Sequence, residues 1–522
     1  MSTALRPSPI TLPRGPSERG VSVTQRRPLT APLVLPRIAV EMLLVFGLLL
    51  LNLAGEWGSG AFFVILVVMC LFSSSAAFKA LLIMWLGLSI NTAFVPKTLT
   101  WTPLRLALPY VAIARFFYDY LLTKPRFFSQ PSYIAFVLYC LVMALCSVLS
   151  GWFTLIALVK LANFFAIVTG ILLGGSILAA RRTDPGEWVV TLIMLTAAIG
   201  WISIALGQHH NMIRIGFSSQ HFTGAFFHPN SHASYGSLFI SFLLAVFAYS
   251  RYRHRWLMIP LIAMWLLFMV WSKSRTSLIA STAGFAVLLV FGGSTARLTG
   301  WIRRSNLSRV QILTALVAAM TCVAITDLAL GGRIANTTIR FINKQTGDDD
   351  TDQFLDANAI LLSRSGLMQY SMANFRASPI YGIGFQVAKT EEFARSATLF
   401  TAPAEKGFLL TAVLEEGGIL GATFFVLWMS ILAGTFIVRR NVPALMMLTT
   451  FFTSSLTEVT LFSPGGTGAF GWMMVAAASA FGDACWMSAR TTRGSVTIGT
   501  RPHLATIGHR ETTPRSLAPE PA

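Results

Sequence analysis

Charge is scarce in this chain: Asp, Glu, Lys and Arg make up 12% of its 522 residues, where a soluble domain carries about a quarter. Apolar residues supply 54% and the mean hydropathy is +0.65. That balance excludes an ordinary water-soluble globule and reads as an integral membrane protein. Acidic residues are scarcer still, 21 against 40 Lys and Arg, for a net charge of +19. The cations sit in short clusters between apolar runs and in the two tails, as topology signals do. No basic stripe is interleaved with aromatics, so nucleic acid is not an expected partner.

Cysteine is also sparse. Cys70, Cys140, Cys146, Cys322 and Cys485 lie in apolar segments without a CxxC, which argues against disulfides or thiolate metal sites and for buried small hydrophobes. No GxxxxGK[ST] loop, HExxH or fixed-period repeat occurs, so ATP-driven, zincin and solenoid readings fall away. Residues 1–36 lack the apolar core and small-residue cleavage site of a secretory signal, so the first apolar run reads as a retained span. No metal and no cofactor are expected.

What the chain has is apolar runs. They fall at 37–54, 60–74, 79–95, 104–122, 133–150, 155–179, 188–207, 233–250, 256–272, 276–293, 311–330, 408–438, 443–462 and 466–486. That is about fourteen spans, with about 12–14 defensible because two short early runs could be one broken helix. The expected fold is all-α, a polytopic integral membrane protein with one long loop containing short helices. Lys124/Arg126, Arg181/Arg182, Arg251/Arg253/Arg255, Arg297/Arg303/Arg304/Arg309, Arg439/Arg440 and both tails fall on one side, cytoplasmic by the positive-inside rule. Both termini are then cytoplasmic, and loops 208–232 and 331–407 face outward. The chain divides into a basic tail (1–36), an N-terminal bundle (37–220), a core (221–438), C-terminal helices (439–487) and a Thr/Arg/Pro-rich tail (488–522). Both tails have a disordered composition.

The loop at 331–407 is roughly 77 residues long, far above ordinary connections, and such loops are functional or disordered. Residues 356–375 read as a helix and 379–384 as a packed turn. Leu361, Leu367, Met368, Met372 and Phe375 could anchor that helix on the membrane surface, leaving Arg364 toward the outer mouth or simply solvated. The acidic cluster at 348–352 resembles a DxD metal site, but sugar-nucleotide donors that use one are cytoplasmic and this loop faces out.

Four stretches carry candidate chemistry. His228, Asn230 and His232 open a span, as head-group ligands or as a helix cap by Asn230 or Ser231. No third ligand makes the two histidines a zinc site. Lys273, Ser274 and Arg275 place two cations in a tight outward turn against the positive-inside trend. A phosphate would stabilise them through the planar Arg fork, as would snorkelling to lipid. Glu405 and Lys406 stand where the loop re-enters the membrane, as base or as plain ion pair, with Glu415, Glu416 and Glu458 in apolar surroundings that make carboxylates costly.

Together the stretches FFHPNSHAS, SKSRTSL, SRSGLMQYSMANFRASPIYGIGF and EKGFLLTAVLEEGGILG resemble the O-antigen ligase and polysaccharide polymerase superfamily of bacterial inner-membrane glycosyltransferases. The resemblance covers roughly 221–438, which becomes an O-antigen ligase-like catalytic core. It implies metal-independent, inverting transfer of a glycan from an undecaprenyl-diphosphate-linked oligosaccharide on the periplasmic side. Membrane lipids, a flippase and a chain-length regulator of a polysaccharide export system are the implied partners. Arg275 and Arg364 would hold the diphosphate and Glu405 would take the acceptor proton. Lys273, Ser274, His228, Asn230, His232, Lys406 and Glu416 would line the substrate. Ligases carry His-Asn where this chain has Glu405-Lys406, which tilts the reading toward an exopolysaccharide polymerase. A ligase acting on a lipid or protein acceptor is the alternative. A secondary transporter for an anionic solute, with central unwound spans, is the rival of another class.

Overall fold

The computed structural model describes residues 35–90, 101–180, 186–207, 222–226, 228–250, 255–272, 274–292, 357–389, 406 and 408–496. Among the described residues every helix-length element is α-helical, and the one extended pairing is an antiparallel bridge between Ile90 and Phe226. In chain order the helices are α1 (Leu35–Leu53), α2 (Gly55–Phe72), α3 (Ser74–Ser89), α4 (Thr102–Thr123), α5 (Pro131–Ser150), α6 (Thr154–Ala180) and α7 (Gly186–Gly207). They continue with α8 (Pro229–Tyr249), α9 (Met258–Trp271), α10 (Arg275–Phe291), α11 (Ala357–Ala377), α12 (Leu409–Val438), α13 (Val442–Glu458) and α14 (Gly466–Val496). Among the described residues six helices, α2, α5, α6, α7, α8 and α12, are long and apolar enough to cross a bilayer. The chain is an all-α polytopic membrane protein, the form in which each span satisfies its own backbone. The span expected at 311–330 lies outside the described residues.

The two short early runs are separate helices. Only Ser73 divides α2 from α3, and its Oγ accepts the N–H of Ala76 as an N-cap. Gly87, near the end of α3, packs on Phe62, near the start of α2, so the pair is an antiparallel hairpin. Cys70, Cys140 and Cys146 are buried as expected, whereas Cys485 is only half-buried. Cys322 lies outside the described residues.

Lipid tails are as apolar as the helices, so association relies on close approach and interhelical hydrogen bonds. Gly284 of α10 provides the approach to α13 and α8, where the hydroxyls of Ser241 and Thr450 bond to each other at 2.7 Å. Gly175 of α6 plays the same part against Ala476 of α14. Buried charge occurs in pairs at the two ends of the bundle. At the end where α4 runs out to Lys124, Lys79 donates to Glu41, whose second oxygen accepts from Thr191 at 2.9 Å. Beside it the fully buried Asp119 accepts from Ser74 at 2.5 Å and pairs with Arg115 at 3.3 Å. These bonds tie α1, α3, α4 and α7 together.

A β-carbon at Gly284 would stand 2.2 Å from Thr450 Oγ1. Gly284→Leu is therefore expected to lower stability by about 1–3 kcal/mol through overpacking. The readout is the melting temperature of the detergent-solubilised protein, and unchanged melting would count against this α10–α13 seam.

Candidate functional site

Helix α12 has 30 residues, about 45 Å at 1.5 Å per residue, against a hydrocarbon core of about 30 Å. It is not one continuous helix. Gly418 adopts φ 61°, ψ −160°, a conformation open essentially to glycine alone. The 20 residues that follow are enough to cross the core, so the break lies near its edge.

A break frees the carbonyls of the turn before it and the amides of the turn after it, and both need partners. The turn at 379–384 supplies them. Ile383 and Gly384 donate their N–H groups to the carbonyls of Glu415 (2.8 Å) and Glu416 (3.0 Å). In return Ile419 and Leu420 donate to the carbonyls of Pro379 (2.8 Å) and Ile380 (3.2 Å). The two backbones approach so closely that a β-carbon at Gly382 would meet Glu415 O at 2.5 Å. One at Gly418 would meet Ile380 O at 2.4 Å. Gly418 of α12 and Gly382 of the turn thus account for each other.

Side chains complete the joint. Glu415 is fully buried. Its Oε2 accepts from Lys406 Nζ and Ser371 Oγ, each at 2.8 Å, and its Oε1 accepts from Asn374 Nδ2 at 2.8 Å. Lys406 also donates to Val387 O at 3.0 Å. Lys160 of α6 donates to Gln386 O at 2.9 Å, and Gln386 Nε2 donates to Phe462 O at 2.6 Å. Phe385 N–H reaches Ser147 Oγ at 3.1 Å, and Trp152 Nε1 reaches Ala388 O at 3.2 Å. Glu416 is also buried, its Oε2 without a hydrogen-bond partner among the described residues, within electrostatic reach of Lys406 and Lys160. Two carboxylates and two ammonium groups make the joint neutral by count, which is how four ionisable groups tolerate burial.

A second polar group gathers the starts of α8 and α10 and the end of α13. Asn230 Nδ2 donates to Glu458 Oε1 at 2.8 Å, and Thr457 Oγ1 donates to Thr276 Oγ1 at 3.1 Å. Arg275 begins α10 half-buried, and its Nε makes no hydrogen bond among the described residues. Ser274 shares a hydrogen bond with Ser277 at 3.0 Å. Phe462 follows α13 by four residues and accepts from Gln386, so this mouth and the α12 joint share one end of the bundle.

Several expected roles change. The cap of α8 is His228, whose Nδ1 accepts from Asn230 N at 3.1 Å, whereas Asn230 spends its amide on Glu458. His232 does not reach a head group. It is fully buried, boxed by Phe222, Phe226, Trp265 and Phe268 at ring distances of 5.2–5.5 Å, with neither ring nitrogen hydrogen-bonded among the described residues. Lys406 and Glu416, expected to line substrate, are 5% and 2% exposed and belong to the joint. Helix α11 matches the helix expected at 356–375 and is bonded to α12 through Ser371 and Asn374, with Leu367, Met368, Met372 and Phe375 half-buried. Arg364 lies in α11 with its side chain outside the described residues; Lys273, Glu405 and the acidic cluster at 348–352 lie wholly outside them. Sequence reasoning missed Glu415 as the centre and Lys160 as the cation near Glu416. Lys160 had a signal, as the one cation inside the apolar α6.

The class that fold and site define is a helical membrane protein whose long loop is built into a broken span at one end of the bundle. No protein-family model matches the chain, and no curated protein sequence matches it.

Removing one partner of a buried ion pair costs about 3–5 kcal/mol because the other charge stays buried. Lys406→Met is expected to destabilise by that order, and Lys406→Met with Glu415→Gln by clearly less, in thermal unfolding of protein in nanodiscs. Equal losses would mean that the pair is not the source of the stability.

Proposed function

We propose that the protein is a bacterial inner-membrane glycosyltransferase that polymerises undecaprenyl-diphosphate-linked repeat units on the periplasmic side. The observation that supports this reading is convergence. Of the four stretches that resemble the O-antigen ligase and polysaccharide polymerase superfamily, the first two bond to the end of α13 through Asn230–Glu458 and Thr276–Thr457, the last two bond to each other at Glu415, and Gln386–Phe462 links that joint to the segment just after α13. By the positive-inside rule that end faces out, opposite the Arg439/Arg440 turn between α12 and α13.

The chemistry asked of the site is one inverting displacement. The acceptor hydroxyl oxygen attacks the anomeric carbon, the bond to the diphosphate oxygen breaks, and undecaprenyl diphosphate leaves with the electron pair. Arg275 and Arg364 neutralise the charge that builds on it, a preorganised electrostatic contribution. Glu405, next to the pinned Lys406, takes the hydroxyl proton. A diphosphate is a good leaving group without a general acid or a metal.

The broken α12 favours a second reading, a transporter, because unwound spans mark transporter sites. Against it, the freed backbone groups are taken by the chain's own turn, and the break lies near the edge of the hydrocarbon core. A ligase differs from the polymerase only in its acceptor.

The deciding experiment incubates purified protein with undecaprenyl-diphosphate oligosaccharide alone and resolves products by size. A ladder of repeat multiples is expected; transfer only after a separate acceptor is added makes the protein a ligase; no donor consumption in either case leaves the transporter. Arg275→Lys keeps the charge but loses the bidentate fork. It is expected to cut turnover by about 10²-fold, and near-normal output from the well-expressed variant would remove Arg275 from the site.

A further inference from the structure

We propose that Glu415 is the positioning residue that sets helix α11, and Arg364 with it, against the mouth; the inference rests on the glycosyltransferase reading above. One carboxylate holds both arms of the loop. On the arm before the turn it accepts from Ser371 and Asn374 of α11, and on the returning arm from Lys406. Its backbone carbonyl accepts from Ile383 in the turn between them. A carboxylate with three donors divided between its two oxygens has its plane fixed, so the elements bonded to it are fixed relative to one another.

The register of α11 carries the rest. Its buried positions are Ser371 and Asn374, with Leu367, Met368, Tyr370, Met372 and Phe375 half-buried and positions 366, 369, 373, 376 and 377 exposed, so by helical register the packed face centres on Ser371. Arg364 stands seven residues before Ser371, two turns away and on that same face by register. Turning α11 about its axis, or lifting it from α12, would displace position 364 directly. Glu415 itself is fully buried, and among the described residues its carboxylate is held by Ser371, Asn374 and Lys406. Its part is to position, and not to react.

Glu415→Gln also unpairs Lys406, so the informative variant is Ser371→Ala with Asn374→Leu, which leaves the Lys406–Glu415 pair intact. Protein in lipid nanodiscs is assayed with undecaprenyl-diphosphate oligosaccharide, and amide hydrogen exchange is followed over 366–377. The double variant should speed exchange there and lower kcat/KM by about 10–100-fold, the cost of misplacing a catalytic group by about 1 Å. In an Arg364→Ala background the same two substitutions should cost less than about twofold more, because the group they position is gone. A general structural defect would cost as much in either background. Unchanged exchange, unchanged turnover, or additive losses would each overturn the proposal. If the wild-type protein consumes no donor, the glycosyltransferase reading fails, and with it the catalytic half of this proposal. Exchange over 366–377 then still decides whether Glu415 holds α11.

Discussion

A span interrupted at the edge of a membrane leaves backbone carbonyls and amides with no water to turn to, and the site in this protein follows from how α12 meets that demand. Gly418 breaks the helix. The turn at 379–384 fills the break, giving two N–H donors and taking two in return. Once that backbone joint exists, Glu415 lies within reach of Ser371, Asn374 and Lys406, and the two arms of the long loop are tied to one carboxylate. The loop is therefore part of the bundle at its roots.

That joint bears on two proposed readings that look alike at the level of a broken helix. In a transporter the unwound backbone is offered to a solute; here the chain itself is the occupant. A glycosyltransferase needs cations and a base held at a fixed spacing over a lipid diphosphate, and a loop rooted in a rigid joint suits that need. The mouth next to it, with Arg275, Thr276, Asn230 and Glu458, draws on three other helices. Its geometry depends on the small-residue contacts that bring α8, α10 and α13 together.

Buried histidine and lysine are the residues whose roles were least legible in advance. His228 and His232 are four residues apart on one helix, yet one caps the helix and the other fills an aromatic box. Lys406 adjoins Glu405 in sequence, but its ammonium reaches Glu415, nine positions on. Lys160 is an isolated cation in an apolar run, and only the folded chain brings Gln386 to it. By contrast, α11 ends within two residues of where the approach of Ser378-Pro379 predicts, and the packed turn falls at the expected glycines.

Helix positions, helix content, the loop's own helix and the clustering of cations in alternate loops were determined by the sequence itself. Hydropathy, helix-breaking residues and loop charge act locally, residue by residue along the chain. The tertiary structure alone decided which polar groups meet. A buried donor or acceptor bonds to whatever the fold brings within about 3 Å, and that partner is set by helix packing across separations of hundreds of residues. For that reason Glu415, one of several costly carboxylates in the sequence with nothing to single it out from Glu416, is the residue on which both arms of the loop converge.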